Sequence, residues 1–142
     1  MMKQGKSWQF IAGFSLIELL TVIAVLGILA AVAIQSMNGY ILRARYSDLV
    51  NASTPFRKGV DLCYQLTSSL NNCTSGQNGV PTDITTPVGS VAFIFTLSGG
   101  QIYVFPNTAN GFNLLNDYYI LTPRISNQRL IWTFSGPGSH YI

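Results

Sequence analysis

Gly13-Phe14-Ser15-Leu16-Ile17-Glu18-Leu19-Leu20 opens the stretch on which the reading of the whole chain depends. From Phe14 to Ile34 the sequence carries one ionisable side chain, Glu18. Coiled at 1.5 Å per residue, that run spans about 31 Å, the thickness of a bilayer's hydrocarbon core. A carboxylate inside such a segment costs roughly 2.5–3.5 kcal/mol on insertion scales, so it calls for a partner and a role. The fold and the function must both account for a membrane-length helix with one acid near its start.

Composition agrees with a chain that spends time at a membrane. Of 142 residues, 48% are hydrophobic and 9% charged, against about a quarter charged in soluble domains. The length suits one domain. Net charge is +3, with Lys3 and Lys6 both ahead of the apolar run. Without them the balance is nearly neutral, and no clustered basic face argues for nucleic acid as a dedicated partner. An even pair of cysteines in a region expected to be exported, Cys63 and Cys73, suggests a disulfide. Neither C-x-x-C nor a companion ligand set is present, so no metal and no cofactor is expected.

Residues 1–13 read as a targeting leader, with Lys3 and Lys6 at its cytoplasmic end. An ordinary secretory signal is one alternative. It would be cut after Ala31-Val32-Ala33 and leave a mature chain starting at Ile34. The run from Phe14 is long for an h-region, and a glutamate near its start is poor h-region chemistry.

Gly-Phe-Ser-Leu-Ile-Glu-Leu at 13–19, followed by the apolar run, resembles the N-terminus of type IV pilins and pseudopilins. In that family a membrane-embedded peptidase cuts after the glycine and N-methylates the new terminal residue. The resemblance implies cleavage between Gly13 and Phe14, methylation of Phe14, and an assembly role for Glu18. Phe14 and Glu18 lie four apart, on one helix face. The new terminal amine is a cation at the positive end of a helix dipole, where a neighbouring subunit's carboxylate would neutralise it. That pairing fits only one axial stagger between helices, so it would set subunit register. The expected partners are therefore other copies in a helical filament, the prepilin peptidase, inner-membrane assembly machinery with minor pilins, and lipid before assembly.

Beyond Gln35 the pattern turns amphipathic. Leu42, Tyr46, Leu49, Ala52, Phe56, Val60 and Cys63 follow at steps of three and four, tracing one stripe as far as about Leu66. The spacing predicts that the membrane helix continues as a surface helix, with a bend where Pro55 crowds the carbonyl of Asn51. Many type IV pilins place a helix-disrupting proline about where this chain has Gln35. Residues 67–90, rich in Ser, Asn, Thr and Gly, read as a long surface loop. Strands are predicted at Ser90–Leu97, Gln101–Phe105, Asp117–Thr122 and Gln128–Phe134, with Ser98-Gly99-Gly100 and Pro123–Asn127 as turns. The phrase at 130–136 resembles the last strand of type IVa pilins, many of which carry a cysteine pair there. Here Phe134 occupies that region and the pair comes earlier.

The expected fold is α+β: a long N-terminal helix, membrane-spanning in its first half, on a four-stranded antiparallel sheet. The parts are the leader at 1–13, a transmembrane or filament-core helix at 14–34 and a head at 35–142. The expected place is the inner membrane as a single-pass chain, then an extracellular pilus. No residue is expected to be catalytic. His140, the one histidine, sits near a C-terminus expected to be floppy. Two alternatives stand beside the major pilus subunit: a type II secretion pseudopilin or minor pilin, and an anchored binding protein that never polymerises.

Overall fold

Pro55 has no N–H to give the carbonyl of Asn51, and the helical part of the chain divides just ahead of it. In the computed structural model, which describes residues 13–142, α1 spans Leu16–Ala52 and α2 spans Thr54–Thr67. Ser53 sits between them, fully buried, and its hydroxyl donates to the carbonyl of Val50 at 2.7 Å. The expected bend is thus an interruption two residues before the proline, and Pro55 falls within the first positions of α2. Proline is tolerated there because the first N–H groups of a helix have no intrahelical acceptor. The leader expected at 1–13 lies outside the described residues apart from Gly13.

The chain forms two units, one ending at Asn38 and the other running Gly39–Ile142. In the first, α1 passes Gly27 and Gln35 without interruption. Along 16–34 its apolar side chains are exposed among the described residues: Leu16 is 78% exposed, Leu26 58% and Ile34 64%. By length and composition this helix can cross a membrane. A helix apolar on all sides and bare of protein partners needs lipid or other helices around it.

The second unit has a core of its own. After the helices come β1 (Val91–Thr96), β2 (Ile102–Pro106), β3 (Tyr119–Ser126) and β4 (Arg129–Ser135). They pair in that order, each antiparallel to the next. Tyr46, Leu49, Phe56, Val60 and Cys63 of the helical stripe are buried against Ile94, Ile102, Val104, Tyr119 and Leu121 of the sheet. Alternation along each strand puts these residues on one face, the face that the helices cover. This is the expected α+β architecture.

β3 is longer than its residues promised. Pro123, predicted to open a turn, lies inside the strand opposite Trp132. The turn is the pair Asn127-Gln128, both at positive φ (49° and 61°), as a two-residue hairpin requires. Proline fits because β2 pairs with β3 only as far as Leu121. The missing N–H at 123 faces the side where no neighbouring strand remains. Gly100 fills that corner at φ +72°, where a Cβ would strike Val60 and press on Pro123.

Two segments outside the helices and strands of the core are tied down. Cys63 and Cys73 are joined by a disulfide, with their Cα atoms 5.7 Å apart. Downstream of it the loop lies along β1, where Ile84 bridges Ile94 and Val88 bridges Val91. At the C-terminus, Pro137–Tyr141 forms a short 3-10 helix in place of the expected floppy end. The N–H of Gly138 donates to the carbonyl of Tyr118 at 2.9 Å, and a Cβ at Gly138 would run into the Tyr46 hydroxyl and the Asp117 carbonyl. Tyr141 packs on Tyr46, ring centres 4.8 Å apart.

Candidate processing and assembly site

The start of α1 gathers the residues singled out by the sequence. Gly13 precedes the helix, and a side chain there would meet nothing within 4 Å. No fold constraint of the described chain demands glycine at that position. Phe14 follows, 85% exposed. Glu18 stands one turn further, also exposed.

Glu18 has a partner within its own chain. Its carboxylate Oε2 accepts the N–H of Ser15 at 2.9 Å, and its own N–H donates to Ser15 Oγ at 3.3 Å. This is a capping box: two of the N–H groups that a helix start leaves unsatisfied are filled reciprocally. The Ser-x-x-Glu spacing at 15–18 is its signal in the sequence. Thr21 Oγ1 donates to the carbonyl of Glu18 at 2.9 Å, adding a third contact in the first two turns. A carboxylate at this end also meets the positive pole of the helix dipole. The acid that looked misplaced in the apolar run thus closes its helix end.

Other charged and polar groups lie in the second unit. The guanidinium of Arg57 stands over the rings of Trp132 and Phe134, 5.5 and 5.9 Å from their centres. The indole N–H of Trp132 donates to Asp61 Oδ1 at 3.1 Å. Pairing across β3 and β4 brings Trp132 and Phe134 beside α2, which local periodicity does not reveal. Arg45 donates to the carbonyl of Asn110 at 2.9 Å. His140 is exposed, with Nδ1 2.7 Å from the carbonyl of Pro137. Among the described residues no group of three His, Cys, Asp or Glu side chains is placed to hold a metal ion.

Known proteins resemble this chain. Residues 10–34 match the family model for the prokaryotic N-terminal methylation motif. The chain is 35% identical over 135 residues to the type IV pilus subunit protein TapA of Aeromonas hydrophila, covering 90% of this chain and 92% of that one. It is 38% identical over 74 residues to the prepilin peptidase-dependent protein D of Escherichia coli K12, a match to about half of each chain (52% and 51%). The solution NMR structure of the major type IV pilin PpdD from enterohemorrhagic Escherichia coli superposes with a TM-score of 0.53 at 25% identity, over 68% of this chain and 69% of that one.

Proposed function

The chain belongs to the type IV pilin family as a structural pilus subunit, and from that premise we propose that it is the major subunit of its filament. In this reading a peptidase on the cytoplasmic side cuts between Gly13 and Phe14 and methylates Phe14. The open space around Gly13 supports it, since the demand for a residue without a side chain then comes from the peptidase. Residues 14–34 hold the subunit in the inner membrane in a single pass, and residues 35–142 form the head. Assembly machinery and minor pilins then move subunits into an extracellular helical filament, where the apolar helices exchange lipid for one another. The chain itself catalyses no step.

The observation that carries this reading is the reciprocal bonding of Ser15 and Glu18 at the edge of a bare apolar helix. Before cleavage the carboxylate is satisfied by its own helix. Cleavage creates an amine at Phe14, and Glu18 of a neighbouring subunit is the nearest kind of group to neutralise it at a fixed stagger. Intact mass of the chain from purified filaments tests the proposal. A mass starting at Phe14 with one added methyl supports it, and a mass starting at Ile34 overturns it. Abundance discriminates further: filaments built mainly of this chain mark a major subunit, and trace amounts mark a minor pilin or pseudopilin.

A further inference from the structure

The sheet has two edges, and the chain closes one of them. Along β1, Ile84 and Ile94 exchange N–H···O bonds of 3.0 and 3.1 Å, and Val88 and Val91 exchange bonds of 2.9 and 3.0 Å. The Thr96 N–H donates to Asp83 Oδ1 at 2.9 Å, and the Ser75 N–H donates to the carbonyl of Thr96. The other edge is β4. Its two-residue turn makes Ser126 and Arg129 the closing hydrogen-bonded pair, and alternation does the same for Arg124–Ile131, Thr122–Thr133 and Ile120–Ser135. Leu130, Trp132 and Phe134 therefore turn their N–H and C=O groups away from β3. Among the described residues no backbone bond fills these groups.

Proteins ordinarily blunt such an edge with lysine, proline, a bulge or a covering loop. Between Arg129 and Ser135 there is no lysine and no proline, and the β3–β4 register is unbroken. Ile131 is 53% exposed and Phe134 36%. The cover built over β1 has no counterpart among the described residues on β4.

We propose that the open edge of β4 pairs with β4 of a second copy of this chain, antiparallel, about a two-fold axis at Trp132. Three successive unfilled N–H and C=O pairs fit an extended strand and no other main-chain geometry. On a second copy, β1 is already closed, so the strand edge left open among the described residues is β4 itself. Pairing in full register sets Trp132 against Trp132 and Leu130 against Phe134, which uses all three outward sets. It also sets the strand's one charge, Arg129, against Ser135, so no like charges meet. A contact of this kind is isologous and closes after two copies. Subunits along a polar helical filament repeat head to tail, and no two-fold axis relates them. The axis stands perpendicular to the sheet and reverses the helix packed on its face, so the β4 contact joins two filaments lying side by side in opposite directions, or two chains freed from the membrane by detergent. The bundling of filaments rests on the pilin reading above, whereas the pairing itself does not.

The register supplies a specific test, because residue 131 of one copy faces residue 133 of the other. Full-length chain in detergent micelles is compared by sedimentation with two double variants, Ile131→Lys with Thr133→Lys and Ile131→Lys with Thr133→Glu. The first places like charges across the axis and the second places opposite ones. Wild type and the lysine–glutamate variant are expected to sediment as dimers. The double-lysine variant is expected at half that protein mass, with all three unfolding at similar temperatures. Monomeric wild type, a dimer that persists in the double-lysine variant, or loss of the dimer in both variants would overturn the proposal. This readout needs no filament, so a chain that fails to polymerise leaves it intact. Where filaments form, electron microscopy is expected to show bundles for wild type and separated filaments for the double-lysine variant.

Discussion

The cap observed at Glu18 and the assembly role proposed for it make two demands that can be separated one atom at a time. As a cap it needs an acceptor for the Ser15 N–H, and as an assembly group it needs a negative charge. Glutamine keeps the acceptor and drops the charge, and Ser-x-x-Gln is still a capping box. Glu18→Gln is therefore expected to leave leader cleavage intact and to lower filament yield at least tenfold, read by quantifying sheared filaments against cell-bound subunit. Ser15→Ala does the reverse, weakening the cap by about 1 kcal/mol while keeping the charge, and filaments are expected to persist. In the head, the residue with most at stake is Tyr46, fully buried, its hydroxyl donating to the Asp117 carbonyl at 2.9 Å. Its ring meets Phe112, Tyr119 and Tyr141 at centre distances of 5.5, 5.8 and 4.8 Å. Burial raises the pKa of Tyr46 well above the ordinary tyrosine range. Tyr119, whose hydroxyl donates to the Leu49 carbonyl at 3.3 Å, is pushed up to about 12, chiefly by burial. Unfolded tyrosines release their protons near pH 10, while these two hold theirs in the folded head. Their contribution is thus fully present below pH 10 and is lost as the pH climbs toward 12 and beyond. Denaturant unfolding at pH 8, 10 and 11.5 is expected to give similar stability at the first two and a marked drop at the third. Tyr119→Phe is expected to flatten part of that drop.

The elements differ in how openly the sequence announces them. The helical stripe from Leu42 to Cys63 was legible because each burial event repeats every three or four residues, and those residues do form the core. The four strands were legible as short apolar runs between turn residues, but in β1, apolar at every position from Val91 to Phe95, the buried face carries Ile94 and Thr96 and not Phe93 and Phe95. What periodicity could not convey is where a ladder stops. Pro123 reads as a terminator unless one knows that β2 ends beside Leu121 and leaves its N–H side free, a fact about a neighbouring strand. Pro55 misleads more mildly, since a proline within a stripe predicts a bend but not that Ser53 will take up the Val50 carbonyl ahead of it. The cap at Ser15–Glu18 lay in the spacing itself. The stacking of Arg57 on Trp132, by contrast, depends on register between α2 and β4 that no local pattern holds. The β3–β4 turn offers the clearest test of an element. Asn127 accepts a left-handed conformation readily, but Gln128 at φ 61° carries a Cβ where about 1 kcal/mol or more of strain is usual. Gln128→Gly removes that strain and gives back some of it as entropy of the unfolded chain. The expected net gain is about 0.5–1 kcal/mol, seen as a higher midpoint in denaturant titration with an unchanged slope. Gln128→Val is expected to shift the midpoint the other way, since a β-branched residue tolerates positive φ least.

At the scale of the whole molecule, the division at Asn38 and Gly39 separates two solutions to the same problem of apolar surface. Residues 14–34 expose almost nothing but hydrocarbon and pack against no other element among the described residues. In the proposed reading they pass from lipid to the equivalent helices of other subunits, and in solution they call for detergent. Residues 39–142 bury theirs internally, with a core that begins at Leu42 and Tyr46 and closes on Tyr141 near the other end. The exposed apolar residues left there, such as Leu62, Leu97 and Leu115, are spread through the sequence in the way ordinary soluble surfaces tolerate. A chain begun at Gly39 therefore loses no core residue and removes the part that demands an apolar solvent. It is expected to remain soluble without detergent, to keep the Cys63–Cys73 bridge, and to unfold in one cooperative step. Its melting temperature should fall within about 4–8 °C of the head transition of the full chain, the change that ~1 kcal/mol from a frayed first turn produces in a domain of this size. Circular dichroism against temperature, with sedimentation in plain buffer, decides the matter. A molten spectrum or aggregation of this fragment would mean that the core depends on residues before Gly39. Reducing the disulfide in the same fragment isolates what the bridge adds. It closes a loop with a sequence separation of 10, for which the chain-entropy relation gives about 2.5–3 kcal/mol. Because the bridge also fixes the start of the loop that lies on β1, reduction is expected to raise hydrogen exchange at Ile94 and Thr96, whose amides are bonded to that loop. The amides of β3 that pair with β4 should change only by the global loss of stability. That contrast separates a head held together by its core alone from one in which the tied loop guards the first edge of the sheet.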